Sequence, residues 1–219
     1  SYAHVPWLKK HQQILEKKGL LSSDQKLDIF MAYRELLVNA GYVPIGLDHY
    51  VKPKDELSLA LENGQLHRNF QGYCTRRTTG QVYAFGVSSI SQLDKGFFQN
   101  IKDVPTYIEK INSGHLTVEK GYELSVDQLI IKEIIEKIMC NKYINFSLIE
   151  NKYQLSEGQL EQITKIKKDQ LQIFESDGLL KIDGRTLEIT SQGSFFIRNI
   201  AAAFDPAYQE KENQYSRSI

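Results

Sequence analysis

Residues 66–75 read Leu-His-Arg-Asn-Phe-Gln-Gly-Tyr-Cys-Thr. This short run holds a histidine (His67), an arginine (Arg68), two amides (Asn69, Gln71) and two aromatic rings (Phe70, Tyr73), with Gly72 to let the backbone bend. Such groups hold ligands. A guanidinium takes carboxylates, an amide both donates and accepts, and an aromatic face covers flat or cationic groups. Two other polar stretches share the character, Asp48-His49-Tyr50 and Ser88-Ser89-Ile90-Ser91. Each residue also has a plain structural use. Asp48 and His49 can cap the next helix or bond each other. His4 suits a satisfied core histidine, Arg68 a cation lying over a ring, and Phe70 and Tyr73 core or wall. Together they make a candidate binding site whose chemistry stays open. The chain has no Ser-His-Asp order, no H-E-x-x-H, no Walker loop and no G-x-G-x-x-G, and Ser88, Ser89 and Ser91 have no evident paired base.

The elements that must position these residues follow from pattern. A strand is expected at about 2–5, then a polar connection. A helix is expected from Ser23 to Asn39, capped by Ser22 or Ser23, with Leu27, Phe30, Met31, Leu37 and Val38 on one face and Gly41 ending it. Residues 42–47 read as a buried strand. Strand, helix and strand in that order predict a βαβ unit and a parallel sheet. Pro53 is expected to open a short helix closed by Gly64. Residues 81–90 read as a third strand, and "DKGFFQN" as a turn or hairpin. In parallel α/β sheets, ligands sit at the carboxyl ends of strands. "HVPW", "DHY" and "SSIS" occupy those ends, and 66–75 links the second strand to the third.

Further along, helices are expected near 104–114, at 125–141, at 145–153 and at 156–178. A hairpin is expected around Asp183-Gly184, and a closing helix over "SQGSFFIRNIAAAF". Three helices, a hairpin and a last helix make a winged-helix-like pattern. DNA reading is disfavoured by charge: from Ser156 to Asp177 three lysines stand against five carboxylates. The expected domains are 1–105 and 106–219.

The chain has 219 residues, 41% of them hydrophobic, with 27 basic and 27 acidic side chains. This is globular composition, and zero net charge favours neither nucleic acid nor an anionic membrane. No run approaches the roughly 18 apolar residues of a membrane span. The start lacks the apolar region of a secretory signal. Cys74 and Cys140 are too few for the thiolates of an iron–sulfur cluster; a disulfide between them is not implied by the sequence, and the plain reading is two thiols in a reducing cytosol. "SYAHVPW" opens without Met on a β-like run, so a piece of a longer, cytoplasmic protein is expected.

"YAHVP" (2–6), "GLDHY" (46–50), "KPKDELSLA" (52–60), "LHRNFQGY" (66–73), "GVSSIS" (86–91) and "IRNIAAAFD" (197–205) occur in this order. This series resembles the oxygen-independent coproporphyrinogen III oxidase (dehydrogenase) family of radical S-adenosylmethionine enzymes in haem biosynthesis. It matches that family's C-terminal half. The resemblance implies an α/β fold followed by a mostly α part: the last βα units of a partial TIM-type barrel, then a helical, winged-helix-like domain. It implies oxidative decarboxylation of two propionates of coproporphyrinogen III to vinyls, giving protoporphyrinogen IX. The cofactors implied are S-adenosylmethionine and a 4Fe–4S cluster on a C-x-x-x-C-x-x-C loop that lies in the family's N-terminal half. The fragment alone is therefore expected to be inactive, with no metal ligands and no catalytic residue of its own. Carried over by motif, Ala3, Ile90, Phe70 and Gln71 match cofactor-binding positions, Phe70 and Gln71 lying near a second S-adenosylmethionine or the substrate pocket. Arg68 and Tyr73 match substrate or loop support. Cys74 stands where the family usually has Thr, and Ala84 where Gly is common; the Cys74 thiol is expected to point away from the radical site. The partners expected are coproporphyrinogen III and the missing N-terminal half, with no nucleic acid and no membrane. A cut barrel edge near residues 2–6 is expected to make the fragment self-associate. The alternative is a non-enzymatic winged-helix regulator with an α/β ligand-sensing part.

Overall fold

The computed structural model describes residues 6, 7, 9–70, 72–75 and 80–209. A 3-10 turn over Lys10–Gln12 leads into α1 (Gln13–Lys18), a helix where the sequence reads as polar connection. Then comes α2 (Ser23–Asn39), at the expected bounds. The Ser22 hydroxyl accepts from the Gln25 amide and the Gln25 side chain accepts from the Ser22 amide, a reciprocal capping box. Gly41, at φ +82°, follows the C-cap and stops it.

β1 (Val43–Gly46) and β2 (His49–Val51) form an antiparallel hairpin closed by Leu47-Asp48. The sequence predicts a parallel partner for this strand at 2–5, which lies outside the described residues. All strand pairings among the described residues are antiparallel. A two-residue turn reverses the chain at once, with no crossover needed. α3 (Glu56–Glu62) starts after Pro53, because the Asp55 carboxylate accepts from the Leu57 amide at 2.9 Å and caps it there.

The polar run 66–75 is a second hairpin rather than a loop. β3 (Leu66–Asn69) pairs with β4 (Gly72–Thr75), Arg68 opposite Tyr73 and His67 opposite Cys74. The strand expected at 81–90 is absent; Val82 makes one bridge to Gln92, and regular pairing begins only at β5 (Ile90–Leu93). Gly86 and Ser88 both have positive φ, which a strand does not allow. β6 (Gly96–Asn100) turns back on β5, as "DKGFFQN" predicts. α4 (Val104–Asn112), capped by Asp103, precedes β7 (Val118–Glu123), which pairs with β6 and was not anticipated. The β5-β6-β7 sheet thus runs across residues 105 and 106.

α5 (Val126–Asn141) has the same capping box, between Ser125 and Gln128. β8 (Tyr143–Asn145) and α6 (Phe146–Tyr153) follow. The helix expected at 156–178 is two: α7 (Gln159–Thr164) and α8 (Lys168–Ser176). Between them the Thr164 hydroxyl donates to the Leu160 carbonyl and accepts from the Ile166 amide, while Lys165 takes φ +50°. β9 (Leu180–Asp183) and β10 (Thr186–Ile189) make the expected hairpin, and β8 pairs on the other side of β10. The closing segment is a 3-10 turn at Gly193–Phe195, then α9 (Ile197–Ala202) and α10 (Pro206–Gln209).

The core centres on α5. Ile130, Ile134 and Ile138 repeat every fourth residue, form one stripe and are fully buried against Leu180, Leu187, Ile197, Ile200 and Phe204. The same cluster reaches Leu66, Tyr73 and Ile45, so it ties the hairpins of the first half to the helices of the second. By contrast α2 has no buried residue, and Ile29, Met31, Tyr33 and Leu36 are exposed. Among the described residues no helix is long and apolar enough to cross a membrane. Ile134→Ala should cost about 2–5 kcal/mol of stability through lost contacts and a residual cavity, read as a lower urea midpoint with an unchanged slope.

Candidate functional site

A cleft of about 750 Å³ opens between the tip of the β3–β4 hairpin, the β6–β7 pair, α5 and the α9–α10 segment. Its walls are mostly apolar: Phe70, Phe97, Ile131, Ile135, Met139 and Ala201. The Phe70 and Phe97 rings meet edge to face at 5.3 Å. Charged groups also line it, Arg68, Lys132 and Arg198 against Glu136 and Asp205. Lys132 is committed within the fold, its ammonium 5.5 Å from the Phe97 ring centre and 3.5 Å from the Leu93 carbonyl.

Tyr73 holds the hairpin in place. Its ring is buried, and its hydroxyl donates to the Met139 carbonyl of α5 at 3.1 Å. The His49 ring packs edge-on against it at 5.2 Å, and the Arg68 guanidinium lies over it at 4.9 Å. Gly46 of β1 touches the same ring so closely that any added Cβ would enter it. Burial pushes the Tyr73 hydroxyl up to about 12, with the positive charges of Arg68 and Arg198 pulling the other way. Arg68 is thus pinned on one side, while its Nη1 is buried with no hydrogen-bond partner.

The opposite face of the hairpin is different. His67, 3% exposed, meets Glu136 through Nδ1 at 2.8 Å, and its Nε2 has no partner. Both line a smaller cavity of about 270 Å³ beside Cys140 and Lys137. Cys74 shares this face and does not line the larger cleft. Burial, and then the Glu136 charge, raise its thiol pKa, so it stays protonated and unreactive. Asp48 and His49 bond each other at 3.0 Å, and the Asp48 carboxyl, desolvated but hydrogen-bonded by its own backbone and by His49, is held below its usual value.

The serines of 88–91 are scaffolding. Ser89 donates to the Gly86 carbonyl at 2.6 Å, Ser91 accepts from the Ala84 amide at 3.0 Å, and the buried Asn100 amide donates to the Ala84 and Gly86 carbonyls. Ile90 opens β5 two residues before Gln92, so the two share a face, but only Gln92 lines the cleft.

Of the residues singled out in the sequence, the cleft brings together Phe70 and Arg68, with Tyr73 directly behind. Ile90 lies on the adjoining sheet without lining the cleft. Ala3, Gln71 and His4 fall outside the described residues. Sequence reasoning missed Phe97, Lys132 and Arg198. Phe97 sat in a segment read as a turn or hairpin with no ligand role, and Arg198 in "IRNIAAAFD", a motif quoted without assigning it a contact. Among the described residues no group of three or more His, Cys, Asp or Glu is placed to hold a metal ion.

This arrangement of hairpins, central helix and cleft has a solved counterpart. The structure matches the coproporphyrinogen III oxidase of Escherichia coli, a radical SAM enzyme, with a TM-score of 0.81 and 32% identity over 94% of this chain and 46% of that one. Curated oxygen-independent coproporphyrinogen III oxidases match over all of this chain: 38% identity in Synechocystis sp., covering 47% of that protein, and 36% in Helicobacter pylori, also 47%. The enzyme of that name from Thermostichus vulcanus is 34% identical, with 67% of it covered. No protein-family profile matches. The chain belongs to the oxygen-independent coproporphyrinogen III oxidase family. It spans about half the length of the first two relatives.

The raised Tyr73 pKa has a pH consequence. Above pH 10 the unfolded chain loses this proton while the folded chain keeps it to about 12. Stability from this group is therefore complete below pH 10 and falls as pH rises toward 12. Tyr73→Phe should flatten that alkaline decline in urea melts, while costing about 1 kcal/mol at pH 7 for the lost hydrogen bond.

Proposed function

We propose that this chain is the C-terminal portion of an oxygen-independent coproporphyrinogen III oxidase, which converts two propionates of coproporphyrinogen III to vinyls and yields protoporphyrinogen IX. The supporting observation is identity of 33–38% over the whole chain to oxidases of that name from several bacteria, alongside the fold match. In this reading the first part forms the last βα units of a partial TIM-type barrel, and the second a winged-helix-like domain. The pairing of β7 with β6 supports placing the division near Leu124 rather than at 105–106. No observation favours the regulator reading.

Bound S-adenosylmethionine and its reduced cluster would supply the radical that takes hydrogen from the propionate. The chain's own residues fit the organic cofactor in part. The Phe70 ring is 62% exposed at the hairpin tip, an open aromatic surface suited to an adenine or a methionine side chain. Ala3, Gln71 and Ile90 are the other cofactor-contacting positions proposed. Arg68 and Tyr73 support that loop or the substrate. The cluster is a different matter: the chain's two cysteines are fewer than the three of a C-x-x-x-C-x-x-C loop, so in this reading its ligands come from the other half. The cluster-bearing half would complete the site, and this chain alone would be inactive.

In this reading that half also covers apolar surface such as that of α2, where Leu36 is 71% exposed. The isolated chain should then self-associate in sedimentation velocity, and Ile29→Glu with Leu36→Glu should return it to monomer. The direct test of function is the full-length protein, reconstituted with iron and sulfide and assayed without oxygen. Conversion of coproporphyrinogen III to protoporphyrinogen IX is expected, and its absence would end the reading. Phe70→Ala in that protein should weaken S-adenosylmethionine binding about tenfold, close to the 1.4 kcal/mol of one aromatic contact.

A further inference from the structure

Phe70, read above as a cofactor surface, is one of the residues lining the 750 Å³ cleft; the rest of that lining has no assigned occupant. The cleft volume falls within the range of about 300–1,000 Å³ usual for small-molecule sites. Apolar walls suit the pyrrole rings and bridging methylenes of a tetrapyrrole macrocycle. The cations of the cleft are unequal. Lys132 is engaged with Phe97 and Leu93. Arg68 is stacked on Tyr73 but keeps a buried, unpartnered Nη1. Arg198 of α9 is exposed and also lines the cleft, with no ion pair among the described residues. Both arginines act on Tyr73 electrostatically, which puts them in one neighbourhood. An orphaned guanidinium N–H in a desolvated site carries a standing cost that an anion removes. Of the carboxylates lining the cleft, Glu136 is already bonded to His67, and Asp205 accepts from the Ala207 amide.

We infer that this cleft seats the tetrapyrrole macrocycle, with Arg68 and Arg198 together clasping a propionate carboxylate. The inference rests on the coproporphyrinogen reading above and adds the place and the anchors. The tetrapyrrole carries a propionate on each ring and the reaction consumes two. The others need a cationic seat in every turnover, which a paired guanidinium site supplies without taking part in bond breaking.

The test uses the reconstituted full-length protein and coproporphyrin III, the stable oxidised form of the substrate, titrated by fluorescence. Arg198→Gln and Arg68→Gln should each raise its Kd about tenfold or more, and the KM for coproporphyrinogen III in parallel. Arg198→Lys should lie between wild type and Arg198→Gln, because an ammonium keeps the charge but not the fork. Lys181→Gln, on β9 away from the cleft, should match wild type. Should Arg68→Gln fail to fold for want of its stacking on Tyr73, the exposed Arg198 decides the matter alone. A wild-type enzyme that converts substrate, beside an Arg198→Gln variant that binds porphyrin with unchanged Kd, overturns the cleft assignment and leaves the functional reading standing. A full-length protein that neither binds coproporphyrin III nor converts coproporphyrinogen III overturns both.

Discussion

The hydrogen bond from Tyr73 to the Met139 carbonyl fixes the geometry on which the cleft depends. The β3–β4 hairpin is only four residues to a strand, and an isolated two-stranded hairpin is marginal in water. What holds it is a buried aromatic ring gripped by four neighbours of different kinds: a carbonyl of α5, the His49 ring, the Arg68 guanidinium and the bare backbone of Gly46. Because Arg68 stacks on that ring, the same interaction that anchors the hairpin also sets the direction of a guanidinium toward the cleft. The anchor of the hairpin and the orientation of Arg68 therefore share one contact.

α5 carries the complementary constraint. Its isoleucine stripe is fully buried and binds the hairpins to the C-terminal sheet and helices. Its neighbouring edge bears Ile131, Ile135 and Met139, which line the cleft. A helix fixed by three buried β-branched side chains has little freedom to rotate, so residues one position away from the stripe are placed as firmly as the core itself. The rigidity of the site is inherited from packing on the far side of the helix.

Local chemistry was legible in the sequence and long-range pairing was not. The reciprocal caps at Ser22–Gln25 and Ser125–Gln128 depend on residues three apart, and both helices begin where those residues put them. The hairpin at β9–β10 is announced by its Asp-Gly. The strand at 43–46 was legible as a strand, but its described partner is antiparallel, and choosing between partners is a matter of tertiary context. The segment 81–89 has a strand's composition and is held irregular by one distant side chain, Asn100, which takes two of its carbonyls. The split between α7 and α8 turns on Thr164, whose hydroxyl serves the backbone on both sides. For the site, Phe70 and Arg68 were legible by type. Arg198 was not, because 130 residues separate it from Arg68 and only the fold brings them to one cleft.

The period of two in a strand explains how so short a hairpin carries two kinds of chemistry. Arg68 and Tyr73 are paired across the strands and look to the cleft side; His67 and Cys74 are the next pair and look the other way. A register slip of one residue would exchange them, putting a thiol where a guanidinium belongs. The register is locked by the Asn69 carbonyl oxygen of the side chain, which accepts from the Gly72 amide at 3.2 Å, and by Gly72 itself. At φ +140°, with the His49 ring where a Cβ would stand, that position admits glycine alone. The thiol that would be a hydrogen donor beside any radical is thereby kept against Glu136, protonated and turned from the cleft. The separation is enforced by backbone geometry at Gly72, several residues from either group it protects.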